Sequence, residues 1–446
     1  LKIHPHDKVL EEFLLSLAER DLDLVFHLAR CSYCRSRIYY LPRPEETAAE
    51  GEAASGYAPA LVQNRERIES WARAVEEERD EAPDLFVELM GHPPRRWGEI
   101  LGADPRFHSW GLFELLIERS WETTARDPLH AEELGRLALR LGERLDPSRY
   151  GAELIEDLRA RAWAHVGNAC RTRSDLRGAE EAFGKAFDHL EKGTGDALER
   201  AILLDLLGSL RRDQRRFEEA VDLLGKAVST FLRIGDRHRA GRSLVNLSIV
   251  HNHSGHPEES IPVLYQSLDL IDADQEPRLL ICARHNLATY LADAGQAVEA
   301  RDLYRETRPL YRDFGEPFIQ NRRQWLKGKI ARGLGSAARA ESLFLKAREG
   351  FLAEGIPYDT ALVSLELATL YAEQGRTADL KRLAEEIVPV FASRKIHREA
   401  LAALAFLKQA IEAEAASLEV IARVAAFLKR AENDPELKFE TLSVYR

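Results

Sequence analysis

One spacing recurs along this chain and limits what it can fold into. A small residue followed twelve positions later by another occurs at Gly167/Ala179, Gly208/Ala220, Ser248/Ser260, Ala288/Ala300 and Gly328/Ala340. Successive pairs lie 41, 40, 40 and 40 residues apart, and Ala368 continues the step. Self-similarity at such a period means stacked supersecondary units, and these units read as pairs of helices. Gly255, Gly295, Gly335 and Gly375 each stand seven residues after the first small residue, where a helix must end in a left-handed cap. Phe183, Leu224, Leu264, Tyr304 and Phe344 follow the second small residue by four, one turn along the same face. Ala186, Ala227, Ser267, Thr307 and Ala347 come three residues later. Small residues where two helices cross, with a large one beside them, are what close interdigitation requires. Such a fold is first a surface for holding something, and chemistry has to be argued separately.

The stretches "LLGSLRRDQRRFEEAVDLLGKAV" and "HNLATYLADAGQAVEARDLY" resemble the tetratricopeptide repeat family in their small, glycine, small and aromatic positions. The usual period is 34, so about six extra residues per unit lengthen the second helix and its loop. In period the units are similar to those of bacterial peptide-sensing regulators and kinesin light chains. The resemblance implies an all-α fold, a right-handed solenoid of TPR-like helical hairpins over residues 107–395. It is strongest over 155–390. A degraded unit is expected at about 107–146, where Ala131 and Ala138 keep the seven-residue spacing. Residues 396–446 read as capping helices and a polar tail.

The second informative element is near the start. Residues 7–19 and 22–37 read as two amphipathic helices, and the second carries His27, Cys31 and Cys34 in "HLARCSYC". Offsets of four and three put all three side chains on one stripe of a helix. One imidazole and two thiolates pointing the same way make three corners of a tetrahedral zinc site. In a hairpin the fourth ligand comes from the start of the first helix, where His4 and His6 stand. The arrangement resembles the anti-sigma family of zinc-finger hairpins, with its H-x3-C-x2-C helix and an early Cys or His. Aligned on that pattern, His4 matches the first ligand best and His6 second. The resemblance covers about 35 residues, and "LAERDLD" replaces its usual acidic-glycine turn. It implies a structural zinc ion in residues 1–41 and a sigma factor or similar regulator as partner.

Between the two parts, residues 42–56 read as a flexible acidic linker by composition. Residues 57–106 read as a helical adaptor, broken at Pro83 and at Pro93–Pro94.

Composition narrows the function. A net charge of −11 argues against a general nucleic-acid binder, which needs a basic face. No apolar run approaches the roughly 18 residues needed to span a bilayer, and no secretory leader is read. Four cysteines in 446 residues make no disulfide framework. The cytoplasm is the expected location. No nucleophile elbow, phosphate loop, HExxH helix or paired carboxylate constellation is present, so no enzyme is expected.

In such repeats the first helix lines the concave surface. Counted from the small residue, the inward positions give Arg161, Asn168 and Arg171, then Arg242, Asn246 and Asn252. They continue with His285, Asn286 and Thr289, then Arg322, Trp325, Lys329 and Arg332. Acidic residues are scarce among these positions, which predicts a mildly cationic trough. Asn246 and Asn286 occupy equivalent positions of neighbouring repeats, and in the family that asparagine commonly bonds a bound peptide's backbone. An amide both donates and accepts, and nearby Arg and Lys pair with carboxylates. The expected partner is a protein or peptide, with an acidic segment favoured. His251, His253 and His256 read as an exposed polar turn rather than a metal site. Arg211 to Arg216 ("RRDQRR") reads as a solvated basic loop. Cys170 and Cys282 read as packing residues. Three roles remain open: a regulator that switches, a passive scaffold, and an accessory subunit for an enzyme encoded elsewhere.

Overall fold

The computed structural model describes residues 58–392, 398–412, 417–431 and 437–439. Every regular element among them is helical. α1 (Ala58–Met90) and α2 (Pro94–Ala103) precede a short 3-10 turn (Pro105–Phe107) and the hairpin of α3 (Trp110–Thr124) and α4 (Pro128–Gly142). The one-turn α5 (Pro147–Tyr150) leads to α6 (Ala152–Thr172) and α7 (Leu176–Lys192). The following pairs are α8 (Ala197–Asp213) with α9 (Phe217–Arg233), and α10 (Arg237–Ser254) with α11 (Pro257–Leu268). Next come α12 (Pro277–Asp293) with α13 (Ala297–Thr307), α14 (Pro317–Gly333) with α15 (Ala337–Glu354), and α16 (Pro357–Glu373) with α17 (Thr377–Ala392). α18 (Arg398–Glu412) and α19 (Leu418–Ala431) close the series. The all-helical TPR-like solenoid is thus as the repeat demands. The chain divides into two compact units, Leu1–Leu210 with Ser229–Gly235, and Arg211–Val228 with Asp236–Arg446.

The seven-residue spacing along the second helices works as the packing argument requires. Ala131/Ala138, Ala179/Ala186, Ala220/Ala227, Ser260/Ser267, Ala300/Thr307 and Ala340/Ala347 are all fully buried. The degraded unit at 107–146 is therefore a true hairpin, α3 against α4. A methyl group added at Gly328 would lie 2.5 Å from the Phe344 ring, and one at Gly167 would lie 3.1 Å from Phe183. Glycine stands where the facing residue is a phenylalanine, because the ring takes the space of the side chain. Gly255, Gly295, Gly335 and Gly375 all have positive φ, between 66° and 94°, as the caps require. The equivalent residues of the two preceding repeats, Ser174 (φ 68°) and Arg215 (φ 61°), adopt the same conformation without being glycine.

Two expectations need correction. The adaptor does not break at Pro83: α1 runs through it for 33 residues. Pro83 is exposed, so the carbonyl it orphans meets water, while Ala82, Leu85 and Leu89 are buried and hold the helix down. The break at Pro93–Pro94 is real, with Pro94 opening α2. α1 packs along α3 through buried Glu78, whose carboxylate accepts from the Trp110 amide (2.7 Å), the Tyr150 hydroxyl (2.8 Å) and the Arg149 guanidinium. A carboxylate at the first residue of α3 also suits the positive end of that helix. The C-terminal tail is not wholly polar in role. Phe439 packs 4.9 Å from Phe427 and 5.5 Å from Phe406, joining the core around α16 to α19.

Candidate partner-binding surface

The first helices of the repeats do present polar residues, but the trough is not cationic. Arg161 Nε donates to Glu199 of the next repeat at 3.0 Å, and a second nitrogen of the same guanidinium completes the pair. Arg242 pairs with Glu276, which also meets His238 Nε2 at 3.2 Å. Lys329 Nζ lies 2.6 Å from Asp293 and 3.3 Å from Glu366. Arg332 spans Glu366 at 3.1 Å and Glu373 at 2.7 Å. Each of these pairs joins neighbouring repeats, because stacking sets their first helices side by side. Glu276, Glu199, Asp293 and Glu373 stand at positions that the inward register omits, respectively twelve and nine before the small residue and, for the last two, five after it. Glu366 takes the place that Asn246 and Asn286 hold three and two units earlier. Burial alone would lower the Lys329 value, yet Asp293 and Glu366 hold it above the ordinary one. For Asp293 burial acts upward and is outweighed by Lys329 and Lys429, so its carboxyl sits below the usual range.

Other predicted groove residues are committed elsewhere. Asn168 is buried, and its Oδ1 accepts from Arg171 Nη2 at 2.9 Å and Nε at 3.1 Å. That amide and guanidinium satisfy each other. Trp325 is buried edge-on to Phe351 of α15, 6.1 Å between centroids, with Lys329 Nζ 5.2 Å from its ring. It is a core residue, and its Nε1 has no hydrogen-bond partner. His285 Nδ1 lies 2.7 Å from the Tyr311 hydroxyl. Burial, with Arg322 and Lys329 nearby, pushes that imidazole down to about 3, so it is neutral at physiological pH. The Thr289 hydroxyl donates to the His285 carbonyl of its own helix at 2.8 Å.

The remaining predicted positions lie on α10, α12 and α14. Asn246, Asn252 and Asn286 are half-buried. Among the described residues the Asn286 amide reaches only Cys282 Sγ, at 3.8 Å. Arg322 makes no ion pair among the described residues and lies with Cζ 5.8 Å from the ring of Phe318. It is close enough to bias Cys282, His285 and the buried carboxyl of Asp359, which burial pushes up while Arg322 draws it down. Phe318 is 39% exposed, and the inward register missed it because it stands in the first turn of α14. Cys282 is exposed on α12 and is not a packing residue, whereas Cys170 is buried as expected.

The weaker candidates also resolve. Arg211 to Arg216 is not simply a solvated loop: Arg211 and Arg212 are half-buried and meet Glu219 at 3.3 Å and Asp213 at 2.7 Å. His256, Glu258 and Glu259 bring ligand atoms within 4.8 Å of one another, all exposed. His4, His6, His27, Cys31 and Cys34 lie outside the described residues, as does the acidic linker. No helix among the described residues is long and apolar enough to cross a membrane.

Family models for the tetratricopeptide repeat match residues 199–273 and 283–313. These segments are tetratricopeptide repeats. No curated protein sequence matches the chain. Among solved structures, a Rap protein complexed with Competence and Sporulation Factor is similar, 14% identical with a TM-score of 0.55. The match covers 72% of this chain and 87% of that one. Aspartyl phosphate phosphatase F from Bacillus subtilis is similar at 12% identity and a TM-score of 0.50, over 89% of this chain and 96% of its own. At these identities the likeness is one of fold.

Proposed function

We propose that this chain is a non-enzymatic adaptor or regulatory protein that holds a peptide, or an extended segment of another protein, against α10, α12 and α14. The observation that carries this reading is Arg322. Of the cations at the predicted inward positions, Arg161, Arg242, Lys329 and Arg332 are already paired with a carboxylate of a neighbouring repeat, whereas this half-buried guanidinium has none among the described residues, with an exposed phenylalanine beneath it. Asn286 stands one repeat earlier on the same face, able to donate to and accept from a peptide backbone. A carboxylate on the incoming segment would complete Arg322 bidentately. The fold likeness to a Rap protein solved with Competence and Sporulation Factor supports the reading.

The test is selection of a random-peptide library on the full chain, followed by titration of the enriched peptides. Enrichment of carboxylate-bearing peptides is expected, with affinity falling about tenfold or more in Arg322→Ala and Asn286→Ala. No enrichment, or wild-type affinity retained in both variants, would overturn it.

We further propose that His4, His27, Cys31 and Cys34 hold a structural zinc ion and that this hairpin docks a regulator such as a sigma factor. The ligand spacing supports the first statement, and the family resemblance of residues 1–41 the second. Metal analysis should find one zinc per chain in the wild type and none in Cys31→Ser/Cys34→Ser. Capture of the same partners by both proteins would remove the hairpin as a docking element.

A further inference from the structure

The turn between α8 and α9 departs from its siblings in a way the repeat does not explain. In four later repeats this left-handed position is glycine, which adopts it freely; here it is Arg215 at φ 61°. A side chain kept at a position that disfavours one points to a use for it. The guanidinium has one. Nη1 donates to the main-chain carbonyl of Arg430, 215 residues away, at 3.0 Å. Nη2 reaches the carbonyl of His253 at 3.5 Å, and Cζ lies 4.7 Å from the Phe217 ring. Arg430 is in the last turn of α19, where backbone carbonyls lack helical partners and the helix dipole is negative. One arm of a fixed cation suits that end, and the other meets the last turn of α10, so the planar fork bridges the two helix ends.

The rest of the turn is seated on the same face. The Tyr358 hydroxyl, from the start of α16, donates to the Ala431 carbonyl at 3.2 Å. The Lys429 side chain comes near Asp293 of α12, Lys329 of α14 and Glu366 of α16. Those residues line the first-helix face, so the end of α19 lies across it from α16 to the α8–α9 turn. Phe427, Leu428 and Ala431 are buried in the core with α16 and anchor the strap at one end. Between them Lys429 is set against Lys329, a like charge that, with burial, lowers the Lys429 value although Asp293 and Glu366 act the other way.

We propose that the last turn of α19 is a strap over the first-helix face of residues 237–373, latched by Arg215, and that its release widens the face open to another chain. The latch is a contact within one compact unit of the chain. Only its consequence for binding rests on the reading that this face receives a partner.

Hydrogen exchange of the full chain, resolved by mass spectrometry, tests the latch with no partner present. Arg215→Gly removes the fork while relieving the backbone, so its melting temperature should equal or exceed that of the wild type. Exchange of amides 427–431 should nevertheless accelerate about tenfold, the loss expected for a charge-assisted hydrogen bond. Arg215→Lys should fall between the two, since a lysine lacks the planar fork. Arg216→Ala, next along the chain and exposed, should leave this turn unchanged. Unaltered exchange at 427–431 in Arg215→Gly, or equal acceleration in Arg216→Ala, would overturn the latch. Failure of the peptide selection would leave this result standing, because no peptide enters it.

Discussion

At the scale of single residues, the crossing of two helices decides which small side chain is allowed. Gly328 faces Phe344 so closely that a methyl group cannot fit without moving the ring. Gly328→Ala should therefore destabilise by about 1–3 kcal/mol, the usual range for overpacking, as read by denaturant unfolding. At the cap position, Ser174 holds a φ of 68° that glycine adopts without strain. Ser174→Gly should raise stability by about 1 kcal/mol, and a loss of stability would mean that the serine side chain does something the backbone argument omits. The four capping glycines were legible because glycine is the residue such a turn selects. Ser174 and Arg215 were not, because nothing in either residue type announces a left-handed backbone. Position within the repeat announces it instead, and the repeat had to be trusted over the residue.

At the scale of helices, neighbouring repeats are joined by ion pairs of unequal worth. Glu199 is buried beside Arg161, so Glu199→Ala strands a cation and should destabilise by about 3 kcal/mol. Lys226→Ala removes the exposed pair with Asp222 and should change stability by less than about 1 kcal/mol. Comparable losses for the two would contradict the ranking. His285 supplies a pH dependence between helices. Its ordinary value is 6.5 and its folded value about 3, so the unfolded chain binds the proton first. The stability it contributes is complete above pH 6.5 and is lost as pH falls towards 3, at roughly 1 kcal/mol per pH unit. His285→Gln should flatten that limb of the stability curve between pH 6.5 and 4.5; an unchanged slope would show that the imidazole is protonated in the fold. These pairings were only half legible in the sequence. The cations lay at counted positions, but their acids lie 34 to 41 residues away on a neighbouring unit. Which acid meets which cation depends on how two helices are set side by side, and a register along one helix does not contain that.

At the scale of the molecule, the period of forty residues was enough to give the hairpin array, its buried small residues and even the degraded unit at 107–146. The placement of α19 was not contained in it. A cap is expected to lie on the last repeat, and α19 does lie on α16, yet its final turn also reaches Arg215 in a much earlier unit. That contact joins residues 215 positions apart in the sequence, which no local pattern encodes. The polar positions of α10, α12 and α14 recur at equivalent places of successive repeats, and the central claim is that this face receives another chain. Hydrogen exchange of the full protein with and without a library-selected acidic peptide tests it most directly. The account predicts slowed exchange in residues 277–293 and 317–333, abolished by Arg322→Ala. Protection confined to the second helices α11, α13 and α15, or no protection with a peptide that demonstrably binds, would contradict it.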